Sequence, residues 1–291
     1  MNIDDLKRVC VVGAGTMGRQ IALHNAIHGY EVWLTDASPA VLENARTWKD
    51  EYLAGRVAKG RLTQEQVEAA DRRLHIVSDL TEAASQADLV IEAVVEKLDV
   101  KREVFRTLDR IAPPHAILAT NSSTIVSSKI ADVTERPSQV ANLHYFNPAL
   151  VMQLVEVVQG PHTSVETAAT LVEFVRRTGK IPIWLKKEIS GFVANRLLHA
   201  LSREACYLVE NGIATVEEVD LAAEKALGHP MGPFRLMDNN GIDVAYLVRK
   251  QRYEETGREE DRPPRIIEEK YLRGELGRKT GKGFYDYSQQ G

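Results

Sequence analysis

The sequence predicts an α/β domain built on a mostly parallel sheet with a helical hairpin insertion, followed by an all-α C-terminal domain. Short apolar runs typical of buried parallel strands alternate with helical patterns through the first part of the 291 residues. A long polar segment with two helix-start signals interrupts this alternation after the second strand. Strand patterns end near Lys186, so we expect one domain at 1–186 and a helical domain at 187–291.

The composition is that of a folded globular protein, with 44% hydrophobic and 27% charged residues, and the length suits two domains of ordinary size. The formal net charge of -4 argues against a nucleic-acid-binding protein, which usually carries a basic surplus. Cys10 and Cys206 are the only cysteines, so neither a disulfide framework nor a metal–cysteine cluster is indicated. We expect a reducing compartment.

Two further observations favour the cytoplasm. The N-terminal stretch MNIDDLKRVCVVG places acids before its first apolar run and lacks the apolar region of a signal peptide. No run in the sequence approaches the ~20 apolar residues of a membrane span. We therefore expect a cytoplasmic protein without membrane or nucleic-acid partners.

A glycine-rich motif, GAGTMG at 13–18, directly follows the apolar run VCVV. Gly13 allows a tight turn, Gly15 lets the backbone approach a pyrophosphate, and Gly18 lets helix and strand pack closely. The N-terminus of the following helix supplies amide donors to the anion. This strand–turn–helix context indicates a Rossmann-type dinucleotide-binding domain.

Asp36 ends the second strand, EVWLT, at the distance from the glycines that a ribose-binding acid requires. Its carboxylate would accept hydrogen bonds from both ribose hydroxyls and would repel a 2′-phosphate. Ala37 and Ser38 offer no compensating arginine, so NAD is favoured over NADP. A plain turn residue is the alternative, but it would leave the spacing unexplained.

The polar segment before the strand RLHIVSD predicts two helices that form the hairpin. Ser38 and Pro39 begin the first helix, and Thr63 with Gln66 forms a capping box for the second. The middle of the segment is basic through Lys49, Arg56, Lys59 and Arg61. Either a solvated helix face or an anion site would explain these charges.

Two more apolar runs, ADLVIEAVV and HAILAT, are typical of central parallel strands. Glu96 and Lys101 follow the first run, and the segment NSST at 121–124 follows the second. Ligands bind beyond the carboxyl ends of such strands, so this polar cluster indicates a binding site. Helix capping is the alternative for one of the hydroxyl residues.

The next apolar run, QVANL, ends at His144, the strand MQLVEVV carries Glu156, and a later helix, GFVANRLL, carries Asn195. Together with the glycine motif, these stretches resemble the L-3-hydroxyacyl-CoA dehydrogenase family, and within it the short-chain 3-hydroxybutyryl-CoA dehydrogenases. The resemblance covers nearly the whole chain through the ordered motifs GAGTMG, ADLVIEAVVEKLDVK, NSST, LHYFNP, LVEVV, GFVANRLL, GHPMGP and LGRKTGKGFYDY.

The resemblance implies NAD-dependent, reversible oxidation of (3S)-3-hydroxyacyl-CoA to 3-oxoacyl-CoA. It implies that His144 is the catalytic acid/base, that Glu156 pairs with it, and that Ser123 and Asn195 contact the acyl substrate. The residues it places at the NAD site, beyond the glycines and Asp36, are Glu96, Lys101, Ser123, Asn147 and Lys279. It also implies a coenzyme A contact for the hairpin, for which Arg56 and Lys59 are candidates, and a homodimer formed through the helical domain.

Each residue also has a simpler interpretation. His144 could be a packed ring, and Glu156 could face solvent by strand alternation. Metal ligation by His144 is not expected, because no second His, Cys or paired acid stands at ligand spacing nearby. The joint placement of both residues in the family pattern favours catalysis, and an imidazole suits proton transfer near neutral pH.

Helical periodicity replaces strand patterns in the second domain. We expect one helix from Gly191 to about Glu210, a second capped by Thr215, a third beginning at Pro233 and a fourth ending near Gly257. Two other functions stay open on the sequence. One is a related dehydrogenase of a non-CoA hydroxy acid, such as a carnitine or gulonate dehydrogenase or a lambda-crystallin-like protein. The other is an NAD-binding protein without catalysis.

Overall fold

The computed structural model describes residues 3–288, which form two compact units. The first unit ends at Phe192 and the second begins at Val193. This division lies a few residues after the predicted boundary at 186.

The first unit is built on an eight-stranded sheet in the order β3-β2-β1-β4-β5-β6-β7-β8. The strands are β1 Arg8–Val12, β2 Glu31–Thr35, β3 Leu74–Val77, β4 Leu89–Glu92, β5 Ile117–Thr120, β6 Val140–Tyr145, β7 Leu154–Val158 and β8 Ile181–Leu185. All neighbouring pairs are parallel except β6 and β7, which are antiparallel. The predicted mostly parallel sheet is confirmed. Strands β4, β5 and β6 are buried along their whole length, which explains their near-continuous apolar runs.

Seven α-helices belong to this part of the described chain. They are α1 Thr16–Ile27, α2 Pro39–Ala58, α3 Gln64–Arg73, α4 Leu80–Ala84, α5 Leu98–Ile111, α6 Ser128–Ala131 and α7 Val165–Arg177. Short 3-10 turns lie at Ile3–Asp5 and Pro137–Gln139. Most of the strands' apolar side chains lie in two core clusters, each of which also includes side chains from flanking helices. Val158 of β7 and Leu185 of β8 lie in a smaller cluster with Phe192.

Helices α2 and α3 form the predicted hairpin, and α2 begins at Pro39 as expected. The capping box of α3 is confirmed, because the amide of Gln66 donates to Thr63 Oγ1 at 3.2 Å and the amide of Thr63 donates to Gln66 Oε1 at 2.9 Å. Trp48 and Tyr52 stack on each other within α2, with ring centres 5.3 Å apart.

The second unit is helical, as predicted. It contains α8 Ala194–Glu210, α9 Val216–Lys225, α10 Pro233–Asn240, α11 Ile242–Thr256 and α12 Arg265–Leu272, with 3-10 turns at Glu259–Asp261 and Arg278–Thr280. The expected starts at Thr215 and Pro233 are confirmed. The expected start of α8 at Gly191 is wrong. Gly191 and Phe192 have left-handed backbone conformations, with φ of 79° and 48°, which a right-handed helix cannot include.

Two buried carboxylates organise this helical unit. Asp220 accepts hydrogen bonds from the amides of Phe234 and Arg235 at 2.8 and 3.0 Å. Asp238 accepts from the amides of Phe284 and Tyr285 at 2.9 and 3.0 Å. A buried carboxylate is stable when backbone amides satisfy it, so the two aspartates tie α9 to α10 and α10 to the segment at 283–287.

The glycines of the motifs GHPMGP and GRKTGKGFYDY leave room for these aspartates. A Cβ atom on Gly232 would lie 2.3 Å from Asp220 Cγ, and one on Gly283 would lie 2.0 Å from Asp238 Oδ1. Gly232 and Gly283 are therefore explained by the packing of the second unit itself.

Candidate active site

His144 and Glu156 form a cross-strand pair on β6 and β7. The antiparallel register places them directly opposite each other, and His144 Nδ1 lies 2.8 Å from Glu156 Oε2. His144 is 5% exposed and Glu156 is fully buried. Directly opposed residues of antiparallel strands point to the same face, which explains the contact. The alternative of a solvent-facing Glu156 is excluded.

Two aromatic rings pack on His144. The ring of Phe146 lies 4.5 Å away between centres and that of Phe192 lies 5.5 Å away. The left-handed conformation of Phe192 interrupts the predicted helix at this position. This contact could not be predicted from the sequence, because Phe192 fits the apolar periodicity of a helix. With Nδ1 bound to Glu156, Nε2 is the ring nitrogen of His144 that remains for a substrate.

The segment NSST lies at the carboxyl end of β5. The Asn121 side-chain oxygen accepts a hydrogen bond from the Tyr145 amide at 2.8 Å, which joins this segment to the end of β6. Ser122 and Thr124 both bond to the Glu96 carboxylate through their hydroxyl groups. Ser122 Oγ also accepts from the Ile125 amide at 2.8 Å, so it stabilises the local turn.

Ser123 lies in the middle of this segment and is half-buried. Within residues 3–288, no hydrogen bond joins its side chain to another group. Its hydroxyl is therefore available to a ligand, unlike the hydroxyls on either side.

The glycine motif forms the cradle that a dinucleotide requires. A Cβ atom on Gly13 would lie 2.6 Å from the Ala93 carbonyl oxygen, and one on Gly18 would lie 1.7 Å from the Gly13 oxygen. Gly15 is the N-cap of α1, and no atom lies within 4 Å of its ideal Cβ position. Gly13 and Gly18 are required by close packing, while the space at Gly15 would let a pyrophosphate approach the amides of α1.

Asp36 follows β2 beside this cradle. Its carboxylate accepts from the Ala14 amide at 2.8 Å and from the Ser38 amide at 2.9 Å. Asn147 lies close to α1, because Gln20 Nε2 on that helix is 3.5 Å from Asn147 Oδ1. The glycine cradle and Asp36 fit NAD, because the amides at the start of α1 would face its phosphates and the Asp36 carboxylate would meet its adenosine ribose.

Lys101 is enclosed in a buried ion pair that the sequence did not indicate. It is 1% exposed, and its Nζ lies 2.8 Å from Glu92 Oε1 and 3.2 Å from Glu96 Oε2. Glu92 also accepts from the Thr120 hydroxyl at 2.7 Å. Glu92 was missed because it lies within an apolar strand pattern, where a single acid gives no information about its partner.

The pKa of Glu96 reflects the same cluster. Partial burial raises this pKa, but the Lys101 ammonium and the hydroxyls of Ser122 and Thr124 outweigh that effect and lower it below its usual value. Glu96 is therefore a carboxylate near neutral pH, held at the carboxyl ends of the strands.

The candidate coenzyme A residues lie at the end of α2. The Arg56 guanidinium lies 5.6 Å from the centre of the Tyr52 ring, and Lys59 is the exposed C-cap residue. Lys49 pairs with Asp71 and Asp50. In the described part of the chain, Arg56 and Lys59 have no carboxylate at ion-pair distance, so their charges are available to an anion.

Asn195 and Lys279 lie in the second unit, whereas His144 lies in the first. Asn195 is half-buried in the first turn of α8. Lys279 Nζ lies 2.5 Å from both carboxylate oxygens of Asp243, a partner that the sequence did not indicate.

A cavity of about 560 Å³ lies at the amino ends of the strands, whereas the candidate site lies at their carboxyl ends. The residues that line it include Asp5, Asp88, His115 and Gln139. Each of them lies shortly before the amino end of a strand. Ligands of open parallel sheets bind at the carboxyl ends, so this cavity is not part of the candidate site. Among residues 3–288, no group of three His, Cys, Asp or Glu side chains could hold a metal, and no helix could cross a membrane.

Comparison with known proteins gives the family. The model of the NAD-binding domain of 3-hydroxyacyl-CoA dehydrogenase matches residues 8–189, and the model of its C-terminal domain matches residues 191–287. The chain belongs to the 3-hydroxyacyl-CoA dehydrogenase family. It is accordingly an NAD-binding oxidoreductase of this family, and the resemblance inferred from the motifs is confirmed.

Similar members of the 3-hydroxyacyl-CoA dehydrogenase family come from distant organisms. A probable 3-hydroxybutyryl-CoA dehydrogenase of Bacillus subtilis is 38% identical over 98% of this chain and 99% of its own length. The mitochondrial hydroxyacyl-coenzyme A dehydrogenase of Homo sapiens is 38% identical over 97% of this chain and 91% of its own. The crystal structure of (S)-3-hydroxybutyryl-CoA dehydrogenase from Ralstonia eutropha matches with a TM-score of 0.91 at 35% identity, covering 98% and 100% of the two chains.

Proposed function

We propose that this 3-hydroxyacyl-CoA dehydrogenase oxidises short (3S)-3-hydroxyacyl-CoA substrates, such as 3-hydroxybutyryl-CoA, and reduces acetoacetyl-CoA in the reverse direction. The observation that carries the proposal is the 2.8 Å contact between His144 Nδ1 and Glu156 Oε2 at the end of β6. The names of the Bacillus subtilis and Ralstonia eutropha relatives support the short acyl chain.

His144 is the proposed acid/base. Its Nε2 accepts the proton of the substrate's C3 hydroxyl during oxidation and returns it during reduction. The Glu156 carboxylate holds the Nδ1–H tautomer and stabilises the imidazolium that forms. Phe146 and Phe192 pack on the ring and restrict its movement.

The chemistry that NAD would supply at this site is acceptance of the hydride from C3. The proposed contacts are the α1 amides beside Gly15 for the pyrophosphate and Asp36 for the adenosine ribose. Glu96, Asn147 and Ser123 lie on the loops after the strands, where they would hold the nicotinamide half. Lys101, enclosed by Glu92, is proposed to position Glu96 rather than to bind NAD directly.

The acyl substrate is proposed to meet Ser123 and Asn195 through its oxygens, which aligns C3 and stabilises the developing alkoxide. Arg56 and Lys59 are proposed for the phosphates of coenzyme A, because their charges lack carboxylate partners in the described chain. Lys279, paired with Asp243, is proposed to contribute to the NAD site from the second unit.

A homodimer is proposed through the second unit. Its helices expose large apolar side chains, including Leu197 at 66%, Leu221 at 55% and Leu247 at 48%. Such groups favour burial against a second copy. Light scattering after size exclusion should give the mass of a dimer, and a monomer would contradict the proposal. The free thiols of Cys10 and Cys206 support a reducing compartment such as the cytoplasm.

Mixing the protein with NADH and acetoacetyl-CoA tests the function. Loss of NADH absorbance is the expected result. The same assay with dehydrocarnitine, the keto product of carnitine oxidation, tests the non-CoA alternative, and gulonate with NAD tests it in the oxidising direction. No turnover with any of them would favour a protein that binds NAD without catalysis.

A further inference from the structure

A basic cavity of about 270 Å³ lies within the second unit. The residues that line it come from α8, α11 and the 3-10 turn after α11. They are Arg196, His199, Ala200, Arg203, Arg249, Arg252, Glu260 and Asp261. None of these residues is used by the proposed reaction.

Arg249 is buried in the wall of this cavity. It is 7% exposed, and its guanidinium donates to the Ser202 hydroxyl and to the His199 carbonyl oxygen, both of them neutral. Among the described residues, no carboxylate lies at ion-pair distance from Arg249, Arg196 or Arg203. A buried guanidinium without a counter-ion is costly, so this position favours an anion from outside the unit.

The two carboxylates of the cavity do not neutralise it. Asp261 forms an ion pair with Arg252, whose Nε lies 2.6 Å from Asp261 Oδ1. It also accepts a hydrogen bond from the Thr256 hydroxyl at 2.8 Å. Four guanidinium groups face two carboxylates, which leaves a local charge of about +2 in a chain whose formal net charge is -4. Burial and the neighbouring Arg249, Arg252 and Arg196 lower the pKa of His199 to about 4. The positive potential is therefore felt inside the cavity.

We propose that this cavity binds a carboxylate group through Arg249 and Arg203. Guanidinium groups bind planar carboxylates through paired hydrogen bonds, which lysine cannot reproduce. The carboxylate could belong to a free dicarboxylate or to the far end of a dicarboxylic acyl substrate. The second source rests on the proposed function.

The position of Asn195 is the reason to test the acyl source. Asn195 and His199 lie four residues apart on α8, so they share one side of the helix. The rise of the helix places His199 about 6 Å and Arg203 about 12 Å along the axis from Asn195. A six-carbon dicarboxylic acyl chain spans about the first of these distances, and the Arg203 side chain would cover the rest because helical side chains lean towards the helix N-terminus.

Calorimetric titration of the whole protein with sodium adipate, at constant ionic strength, tests the site without catalysis. We expect saturable binding that weakens about ten- to hundredfold in Arg249→Met and Arg203→Gln. Arg203 is exposed, so its variant keeps the test valid if Arg249→Met fails to fold. Arg273→Gln removes an exposed arginine outside the cavity and should bind as the wild type does.

Rates with 3-oxoadipyl-CoA and 3-oxohexanoyl-CoA separate the two sources, because these substrates differ in the terminal carboxylate. A preference for the first that Arg203→Gln abolishes, with acetoacetyl-CoA turnover unchanged, supports the acyl source. Adipate binding without such a preference supports a free dicarboxylate. Absence of both effects, or binding that Arg249→Met and Arg203→Gln leave unchanged, overturns the proposal. Absence of acetoacetyl-CoA turnover in the wild type would instead count against the proposed function.

Discussion

His144 and Glu156 face each other across the antiparallel pair of β6 and β7, with Nδ1 and Oε2 2.8 Å apart. If this pair performs the proton transfer, replacing the ring must affect turnover far more than cofactor binding. We expect His144→Gln to lower kcat by roughly 10²- to 10⁴-fold, with the Kd for NADH nearly unchanged. Steady-state rates and fluorescence titration of NADH measure the two quantities. Loss of NADH binding would show that the ring is structural.

Glu156→Gln keeps the shape of the side chain but removes its charge. The amide cannot stabilise an imidazolium in the same way, so we expect kcat to fall by roughly 10²-fold or more while the protein stays folded. Glu166→Gln, an exposed change on α7, serves as the matched control. Equal rates for the two variants would remove Glu156 from the mechanism.

Asp36→Ala should weaken NAD binding and narrow the preference for NAD over NADP. The substitution removes both the proposed ribose contact and the charge that repels a 2′-phosphate. It also removes the carboxylate to which the Ala14 amide donates, so part of the loss of cofactor affinity is common to NAD and NADP. The ratio of kcat/KM for NADH and NADPH isolates the charge effect. An unchanged ratio would refute the ribose contact.

Lys101→Met should destabilise the first unit strongly. It leaves Glu92 buried without its counter-ion, for which a cost of about 3–5 kcal/mol is typical. The double variant Lys101→Met/Glu92→Gln should recover a large part of the loss, since no bare charge then remains. Denaturant unfolding of both variants, with the exposed Lys97→Met as control, gives the free energies. A double variant no more stable than Lys101→Met would contradict this account.

Stability should fall as the pH drops below about 6.5 because of His24. Burial, the Lys180 ammonium and His28 lower the pKa of His24 from 6.5 to about 2. Below pH 6.5 His24 is therefore protonated in the unfolded chain but stays neutral in the folded chain. This difference lowers the free energy of unfolding by about 2 kcal/mol at pH 5 relative to pH above 7. His24→Gln should flatten the dependence of the unfolding free energy on pH, while the exposed His115→Gln should not.

The sequence was sufficient for the sheet and the hairpin, because each depends on local pattern. The pair of His144 and Glu156 was implied by the family resemblance, since the pattern alone also allowed a packed ring and a solvent-facing acid. Thr63 caps α3 and Pro233 begins α10 through effects on the next few residues only, so these helix starts were predictable. Glu92 and Asp238 were not predictable. Their partners lie on other elements, and polarity alone does not reveal which amides or ammonium groups will surround a buried acid.

Phe192 illustrates the same limit for an apolar residue. Its spacing fits a helix, yet its backbone is left-handed and its ring lies beside His144. Hydrophobic periodicity reports that a residue is buried but not against which neighbour, so the start of α8 was predicted too early.

The carboxylate of Asp238 has a consequence for synthesis on the ribosome. Its hydrogen-bond partners, the amides of Phe284 and Tyr285 and the hydroxyl of Tyr287, are among the last described residues to be translated. Until they emerge, α10 carries an acid whose burial nothing compensates. We therefore expect the second unit to complete its fold only after translation of this segment, whereas every strand of the first unit's sheet has been translated by then.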